Sequence, residues 1–286
     1  MITDKSIMNI AVIGVGLIGG SVALSLKGKK GIGKIIGVDK SDLNLAKALK
    51  LGIIDESASL DEAIKASKVV LLTIPVDGIL NLLPEILDKV TDQVVIDMGS
   101  TKKMILAQVQ NHPKRGRLVA SHPMAGTEYS GPEAALDDLF KDKVMVYTDV
   151  PKSDDDAFEV ADQLVELLEM KATFMNAEEH DAHTAYISHI SHLTSMALAL
   201  TVLEKEKSQG RIFELAGSGF ESTVRLAKSS PEMWTPILQQ NRENVLEVLE
   251  EHIKQLQQMY DLLEGENYGA IFKLIKKSNK IKRILS

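Results

Sequence analysis

The chain has 286 residues, with 33 Lys+Arg against 40 Asp+Glu, a net charge of −7 and no Cys. That length fits about two domains at roughly 100–200 residues each, with a core that needs no staple, and the missing Cys excludes thiolate catalysis, a disulfide framework and Cys-based metal centres. The acidic balance argues against a nucleic-acid partner, the polar start fails as a signal peptide, and no unbroken apolar run reaches the ~20 residues of a membrane span, so a cytoplasmic protein off the membrane is expected.

From residue 9 to about 175, short Val- and Ile-rich runs alternate with helix-like segments. Strands are expected at 9–13, 34–38, 69–74, 94–97, 118–121, 144–148 and 172–175, and helices at 17–26, 41–51, 102–110 and 154–169 among others. Continuous apolar runs of this length fit strands covered on both faces, as in a parallel sheet. The alternation predicts an α/β fold with a Rossmann-type doubly wound domain over 1–176. Beyond it, 177–208, 211–228, 232–264 and 268–284 carry apolar residues at helical spacing, so 177–286 is expected to be an all-α domain. The basic run Lys276, Lys277, Lys280, Lys282 and Arg283 reads as a solvated helix end.

The first strand runs into Gly14-Val15-Gly16-Leu17-Ile18-Gly19, a G-x-G-x-x-G spacing between a strand and a helix. Gly14 permits the tight turn, Gly16 lets the backbone approach a pyrophosphate, and Gly19 allows close helix-on-strand packing. The helix beginning there points its free N–H groups and positive dipole end at phosphates. The second strand ends at Asp39, 20 residues after Gly19, where a carboxylate accepts from a ribose diol and repels a 2′-phosphate. NAD is therefore the expected cofactor, with Lys40 softening the discrimination against NADP. Two further loops leave strand C-termini: Thr73-Ile74-Pro75-Val76, and 97–102 with Ser100, which reads equally as a helix N-cap or a ligand contact.

The strand at 118–121 delivers Ser121-His122-Pro123-Met124-Ala125-Gly126-Thr127-Glu128 to the same sheet edge. Histidine is the side chain most readily tuned to take a proton near neutral pH, so His122 is a candidate base. A cluster follows: Glu178-Glu179-His180-Asp181, His183, His189 and His192, the last two at i, i+3 on one helix face. This spacing is poor for zinc, and no metal is expected; packing and substrate contact remain open. Arg225 offers a planar fork suited to a carboxylate. Trp234, the only Trp, reads as a core or interface aromatic.

Taken in order, Gly14 to Ser21, Asp97…Ser100-x-Lys102, the His122-Pro123 segment through Glu128, His180-Asp181…Ser188-His189…His192, and Gly219-Phe220…Arg225…Pro231-x-Met233-Trp234 resemble the prephenate/arogenate dehydrogenases over about residues 8–280. The resemblance implies NAD-dependent oxidative decarboxylation of prephenate to 4-hydroxyphenylpyruvate and CO₂, on the route to tyrosine. It assigns His122 to the ring hydroxyl as base and Ser100 to a place near that hydroxyl and the nicotinamide. His192, with His189 beside it, falls to substrate contact and Arg225 to a substrate carboxylate, and Glu128 matches an acid close to the active site, with its role open. Gly14, Gly16, Leu17, Ile18, Gly19, Asp39, Ile74 and Pro75 fall to the cofactor. It also implies a homodimer through the helical domain. Ser191, Tyr129 and Glu221 depart from what many members carry, at positions that bear on substrate preference. Two readings compete. A β-hydroxyacid dehydrogenase would need a Lys where the helix here offers histidines, and a non-catalytic NAD sensor would have no use for Ser100, His122 and Arg225.

Overall fold

The structure, a computed structural model, describes residues 7–284. Among the described residues eight strands form one sheet: β1 (Met8–Ile13), β2 (Ile32–Val38), β3 (Glu56–Ser57), β4 (Val69–Leu72), β5 (Val94–Asp97), β6 (Leu118–Pro123), β7 (Val144–Thr148) and β8 (Lys171–Met175), in the order β3-β2-β1-β4-β5-β6-β7-β8. The first six run parallel. The chain moves outward from β1 to β3, then returns to the other side of β1 at β4. The switch point therefore lies between β1 and β4, and ligands of open α/β sheets bind outside the strand C-termini at such a point.

Two expectations are corrected here. The segment 144–148 is not part of a wholly parallel sheet: β7 runs antiparallel to β6, with His122 opposite Val146, and β8 runs parallel to β7. Nor is 172–175 covered on both faces. β8 is the sheet's end strand and half-exposed, with Phe174 stacked on the buried Tyr147 at 5.6 Å between ring centroids. The two-residue β3 was also too short to show as an apolar run.

Helices cover both faces, and the apolar runs explain why. β1, β4 and β5 are almost wholly buried, their side chains feeding one core on each side of the sheet. One core packs β1 and β4 against α1 (Leu17–Leu26) and α6 (Asp155–Leu167); the other packs them against α3 (Leu60–Ala66), α4 (Val76–Lys89) and α5 (Lys103–Val109). Local chemistry starts several helices. Ser41 Oγ accepts from Asn44 N at 3.3 Å to begin α2 (Asp42–Lys50), and Ser59 and Glu62 form a reciprocal capping box on α3.

The predicted helix over 177–208 is α7 (Ala177–Thr184), one π turn (Ala185–His189) and α8 (Ile190–Gln209), ended by Gly210 at φ +66°. By length and hydropathy alone 177–209 could cross a bilayer, but His180, Asp181, Thr184 and His189 on it are buried inside the protein. The expected helix over 211–228 is interrupted by Gly217, leaving α9 (Ser218–Val224) and a 3₁₀ turn (Arg225–Lys228). The expected helix over 232–264 divides at Asn241 into α10 (Pro231–Gln240) and α11 (Arg242–Glu264). Pro231 occupies the first helical position, where its missing N–H costs nothing.

Compactness divides the chain into 1–241 and 242–286. The second unit is α11 packed on α12 (Tyr268–Ser278), whose cap Asn267 accepts from Ala270 N at 3.1 Å. It exposes Leu256, Met259, Tyr260, Leu263, Tyr268 and Phe272.

Candidate active site

A cavity of about 540 Å³ opens at the switch point, beside the C-terminal ends of β1, β4, β5 and β6. Its walls include Gly16, Leu17, Ile18, Ile74 and Pro75 on one side and Ser100, His122, Glu128, His189, His192 and Arg225 on the other. These come from six separate stretches of the chain, and nearly every residue singled out in the sequence is among them. Gly14, Gly19 and Asp39 shape the rim without lining it.

The glycine loop fits a dinucleotide on its own geometry. Gly14 sits at φ +99°, and a Cβ there would lie 2.6 Å from Ile74 Cγ2. A Cβ on Gly19 would lie 2.0 Å from Gly14 O, so the helix can approach the strand only without one. Above Gly16 the space is open, with nothing within 4 Å of where a Cβ would stand. Gly16 caps α1 with no side-chain acceptor and no acidic residue in the first turn, leaving the helix start to an anion. Thr73 Oγ1 bridges Ile13 O at 2.9 Å and Gly14 O at 2.8 Å, tying β4 to the loop. Asp39 is fixed: Oδ2 accepts from Val15 N at 3.1 Å, and Oδ1 from Ser41 N at 2.9 Å. Oδ1 also accepts from Asn44 Nδ2 at 3.5 Å, so the second lone pair of Oδ2 is the one left for a ribose diol.

Across the cavity a buried polar chain runs through three elements. His122 Nδ1 is 2.8 Å from His180 Nε2, and His180 Nδ1 is 2.7 Å from Asp181 Oδ1. Asp181 caps the start of α5, accepting from Lys102 N at 2.8 Å and Lys103 N at 2.9 Å. Ser100 is therefore not the N-cap of this helix: α5 starts after Lys102, and the capping carboxylate comes from α7. That frees the Ser100 hydroxyl to face the cavity.

These contacts set the tautomers. Asp181 only accepts, so the proton on His180 is at Nδ1 and its Nε2 is an acceptor. His122 must then donate from Nδ1, which leaves the Nε2 lone pair as its free acceptor. Burial, reinforced by His180, Lys102 and His189, holds His122 well below the usual imidazole range, so it is neutral near pH 7. Lys102 is fully buried and paired with Asp97, whose other oxygen accepts from Gly99 N at 2.7 Å. Burial lowers Lys102 while Asp97 holds its charge in place.

The two helical histidines are held just as firmly. Asn241 Nδ2 lies 3.1 Å from His189 Nδ1 and donates to Asp181 O at 2.6 Å. His189 is thereby fixed as an Nε2–H donor. Burial takes it down to about 4 against the opposing charge of Asp181. His192 donates from Nδ1 to Ser188 O at 3.0 Å and stacks on Trp234 at 3.5 Å between centroids. Trp234 is 6% exposed and also meets His189 edge-on at 5.7 Å. The π turn, a feature common at functional sites, sets Ser188 and His189 against the cavity. At the mouth, Arg225 Nη1 meets Glu128 Oε2 at 2.7 Å. The backbone N–H of Glu128, then the Arg225 guanidinium, hold that carboxyl below the ordinary glutamate range.

Neutral burial of His189 has a cost in acid. Below pH 6.5 the unfolded chain takes up a proton that the folded one refuses until about pH 4. Stability should therefore fall by about 2 kcal/mol between pH 7 and pH 5 from this group alone. Urea unfolding at the two pH values checks this, and His189→Asn should shrink the difference.

The prephenate dehydrogenase nucleotide-binding domain model matches residues 22–174, and the prephenate dehydrogenase dimerization domain model matches 176–277. A prephenate dehydrogenase of Bacillus subtilis is 34% identical over 271 residues, covering 93% of this chain and 73% of its own length. The chain belongs to the prephenate dehydrogenase family. A solved prephenate dehydrogenase from A. aeolicus, in complex with hydroxyphenyl propionate and NAD⁺, superposes with TM-score 0.88 at 32% identity, covering 99% of each chain. Synechocystis arogenate dehydrogenase superposes with TM-score 0.75 at 26% identity, covering 98% of this chain and all of that one. NAD is the cofactor, and the glycine loop has the space and the free helix start to hold it.

Sequence reasoning under-read several residues of this site. His180, Asp181 and Lys102 stand in the sequence as motif letters, yet nothing local shows that His180 meets His122 or that Asp181 meets the start of α5. Asn241 looked like interior helix. The only available signal was the adjacent His180-Asp181 pair, two side chains that readily bond when buried.

Proposed function

We propose that the cavity carries out oxidative decarboxylation of prephenate, with His122 as base, yielding 4-hydroxyphenylpyruvate and CO₂. The observation that carries this reading is His122 itself: a neutral imidazole whose Nδ1 is engaged, on the cavity wall with Ser100 and beside the cofactor loop. Bound NAD⁺ supplies the hydride acceptor at its nicotinamide ring. Removing hydride from the ring carbinol leaves a cationic carbon unless the hydroxyl proton also goes. His122 Nε2 accepts that proton. Ser100 orients the hydroxyl, the Nε2–H of His189 and the free Nε2 of His192 contact polar groups of the substrate, and Arg225 holds a carboxylate. Loss of CO₂ then makes the ring aromatic. Against a net charge of −7, Arg225 is the local cation that a dianionic substrate needs.

Gly14, Gly16, Leu17, Ile18, Gly19, Asp39, Ile74 and Pro75 form the NAD site in this reading, and Glu128 is the resident counter-ion of Arg225. The working division is a cofactor domain over 1–176 and a substrate and dimer domain over 177–286. The dimerization model over 176–277 supports a homodimer, as do the exposed apolar side chains of α11 and α12. We assign the enzyme to the cytoplasm, where the NAD pool resides.

NADH formation on prephenate and on arogenate, with NAD⁺ and NADP⁺, tests the function; no turnover of either substrate would refute it. Asp39→Ala should raise the Kd for NAD⁺ by about tenfold, the loss of one or two charge-assisted hydrogen bonds, and relax discrimination against NADP⁺. An unchanged cofactor preference would remove Asp39 from the ribose.

A further inference from the structure

Behind His122 stands a second imidazole that the reaction as written does not use. Resting on the assignment of His122 as base, we propose that His180, clamped by Asp181, takes over the charge of the proton that His122 accepts, so that the working base is a two-histidine relay. His180 touches neither substrate nor cofactor and is a positioning residue that acts through His122.

The step balances. The ring hydroxyl gives its proton to His122 Nε2 as hydride leaves the carbinol carbon. His122 passes its Nδ1 proton across the 2.8 Å contact to His180 Nε2. His122 is again neutral, with its proton now at Nε2, and His180 is an imidazolium whose Nδ1–H faces Asp181 Oδ1 at 2.7 Å. One positive charge has moved one ring away from the cavity and into contact with a carboxylate.

The surroundings favour that transfer. Lys102, which Asp97 pairs, and the imidazoles of His180 and His189 all oppose a positive charge on His122, and among the described residues no carboxylate is hydrogen-bonded to it. His180 faces Asp181, whose oxygens are held by two backbone N–H groups at the start of α5. An anion so placed is stabilised by the helix end, and it in turn stabilises the cation beside it.

Burial of the relay suits the fate of the proton. His180 and Asp181 are each 1% exposed, so the relay has no outlet to solvent at that end. None is needed. When the carboxylate bond breaks, its electron pair completes the aromatic ring and leaves a phenolate oxygen. A phenol holds its proton to a pKa of about 10, against about 6.5 for an ordinary imidazolium. The proton returns along the same path, from His180 Nε2 to His122 Nδ1 and from His122 Nε2 to oxygen.

His180→Gln separates charge transfer from tautomer control. A glutamine carbonyl can still accept from His122 Nδ1–H and keep the tautomer, but it cannot carry the charge. The variant should keep its thermal midpoint, its NAD⁺ affinity read by Trp234 fluorescence, and a KM within about threefold of wild type, while kcat falls at least about tenfold. As a neighbouring charge His180 opposes a proton on His122, so removing a mere neighbour would move the acid limb of kcat/KM up; removing the relay partner that takes over the charge should move it to lower pH, because the cation is then confined to His122. In ¹⁵N-histidine NMR of the free protein, the titration of His122 should move the same way. If His180→Gln keeps the wild-type kcat, pH profile and His122 titration, the relay is wrong, and an inactive His122→Asn would leave the base assignment intact. If His122→Asn is also fully active, the base assignment itself fails.

Discussion

Replacing His122 by Asn should lower kcat by about 10²–10⁴-fold, the usual span for removing a positioned base. The affinities for NAD⁺ and substrate should change by no more than a few-fold. Asn can still donate towards His180 and fill most of the space, but it has no lone pair able to take a proton at Nε2. The hydroxyl proton would then be left on a carbon becoming cationic, which is a transition-state loss, so kcat and kcat/KM should fall together. The pH profile sharpens the prediction. His122 must be neutral to act, and burial with its cationic and imidazole neighbours lowers its pKa well below 6.5. The acid limb of kcat/KM should therefore lie below the ordinary histidine value, with activity retained through pH 6.5. A limb at or above 6.5 would mean that His122 is more exposed or better paired with anions than the structure has it. Steady-state NADH assays across pH, on wild type and variant, supply both readings.

The parts of this site that could be read in the chain are those written in consecutive residues. Gly14 to Gly19 stand between a run that can only be buried and a run that can only be helical, and the acid at Asp39 lies one βα unit on. Each constraint is local; the structure places the glycine loop at the switch point, with Asp39 after β2 bonded to Val15 N beside it. What could not be read depends on direction or on distance. A strand at 144–148 has the same letters whichever way it runs, so its antiparallel pairing with β6 was invisible. Asn241 breaks a helix whose apolar spacing continues across it. Lys102 has the sequence context of a surface lysine, yet it is wholly buried because Asp97, five residues earlier, neutralises it. The contact between His122 and His180 joins residues 58 apart and exists only because the start of α7 packs beside β6 and α5. Periodicity reports which face of an element is buried, not which partner it meets there.

Arg225→Ala should raise the KM for substrate by about 10–100-fold with a much smaller change in kcat, corresponding to the ~1.5–3 kcal/mol of a hydrogen bond to a charged group. The lower end of that range is the better expectation, because the Arg225 side chain is 48% exposed and water screens part of its pull. Before substrate binds, the guanidinium holds Glu128 at 2.7 Å. A substrate carboxylate must therefore replace one anion by another, and only the difference between the two contacts appears as affinity. Two consequences separate this role from simple packing. Arg225→Lys should recover only part of the loss, since an ammonium keeps the charge but not the planar fork. Added salt should raise the KM of the wild type more than that of Arg225→Ala, because a half-exposed ion pair is screened while the buried contacts of His189 and His192 are not. If Arg225→Ala instead lowered kcat and left KM unchanged, the guanidinium would be acting at the reacting centre rather than at the cavity mouth, and its role as the holder of a substrate carboxylate would be wrong.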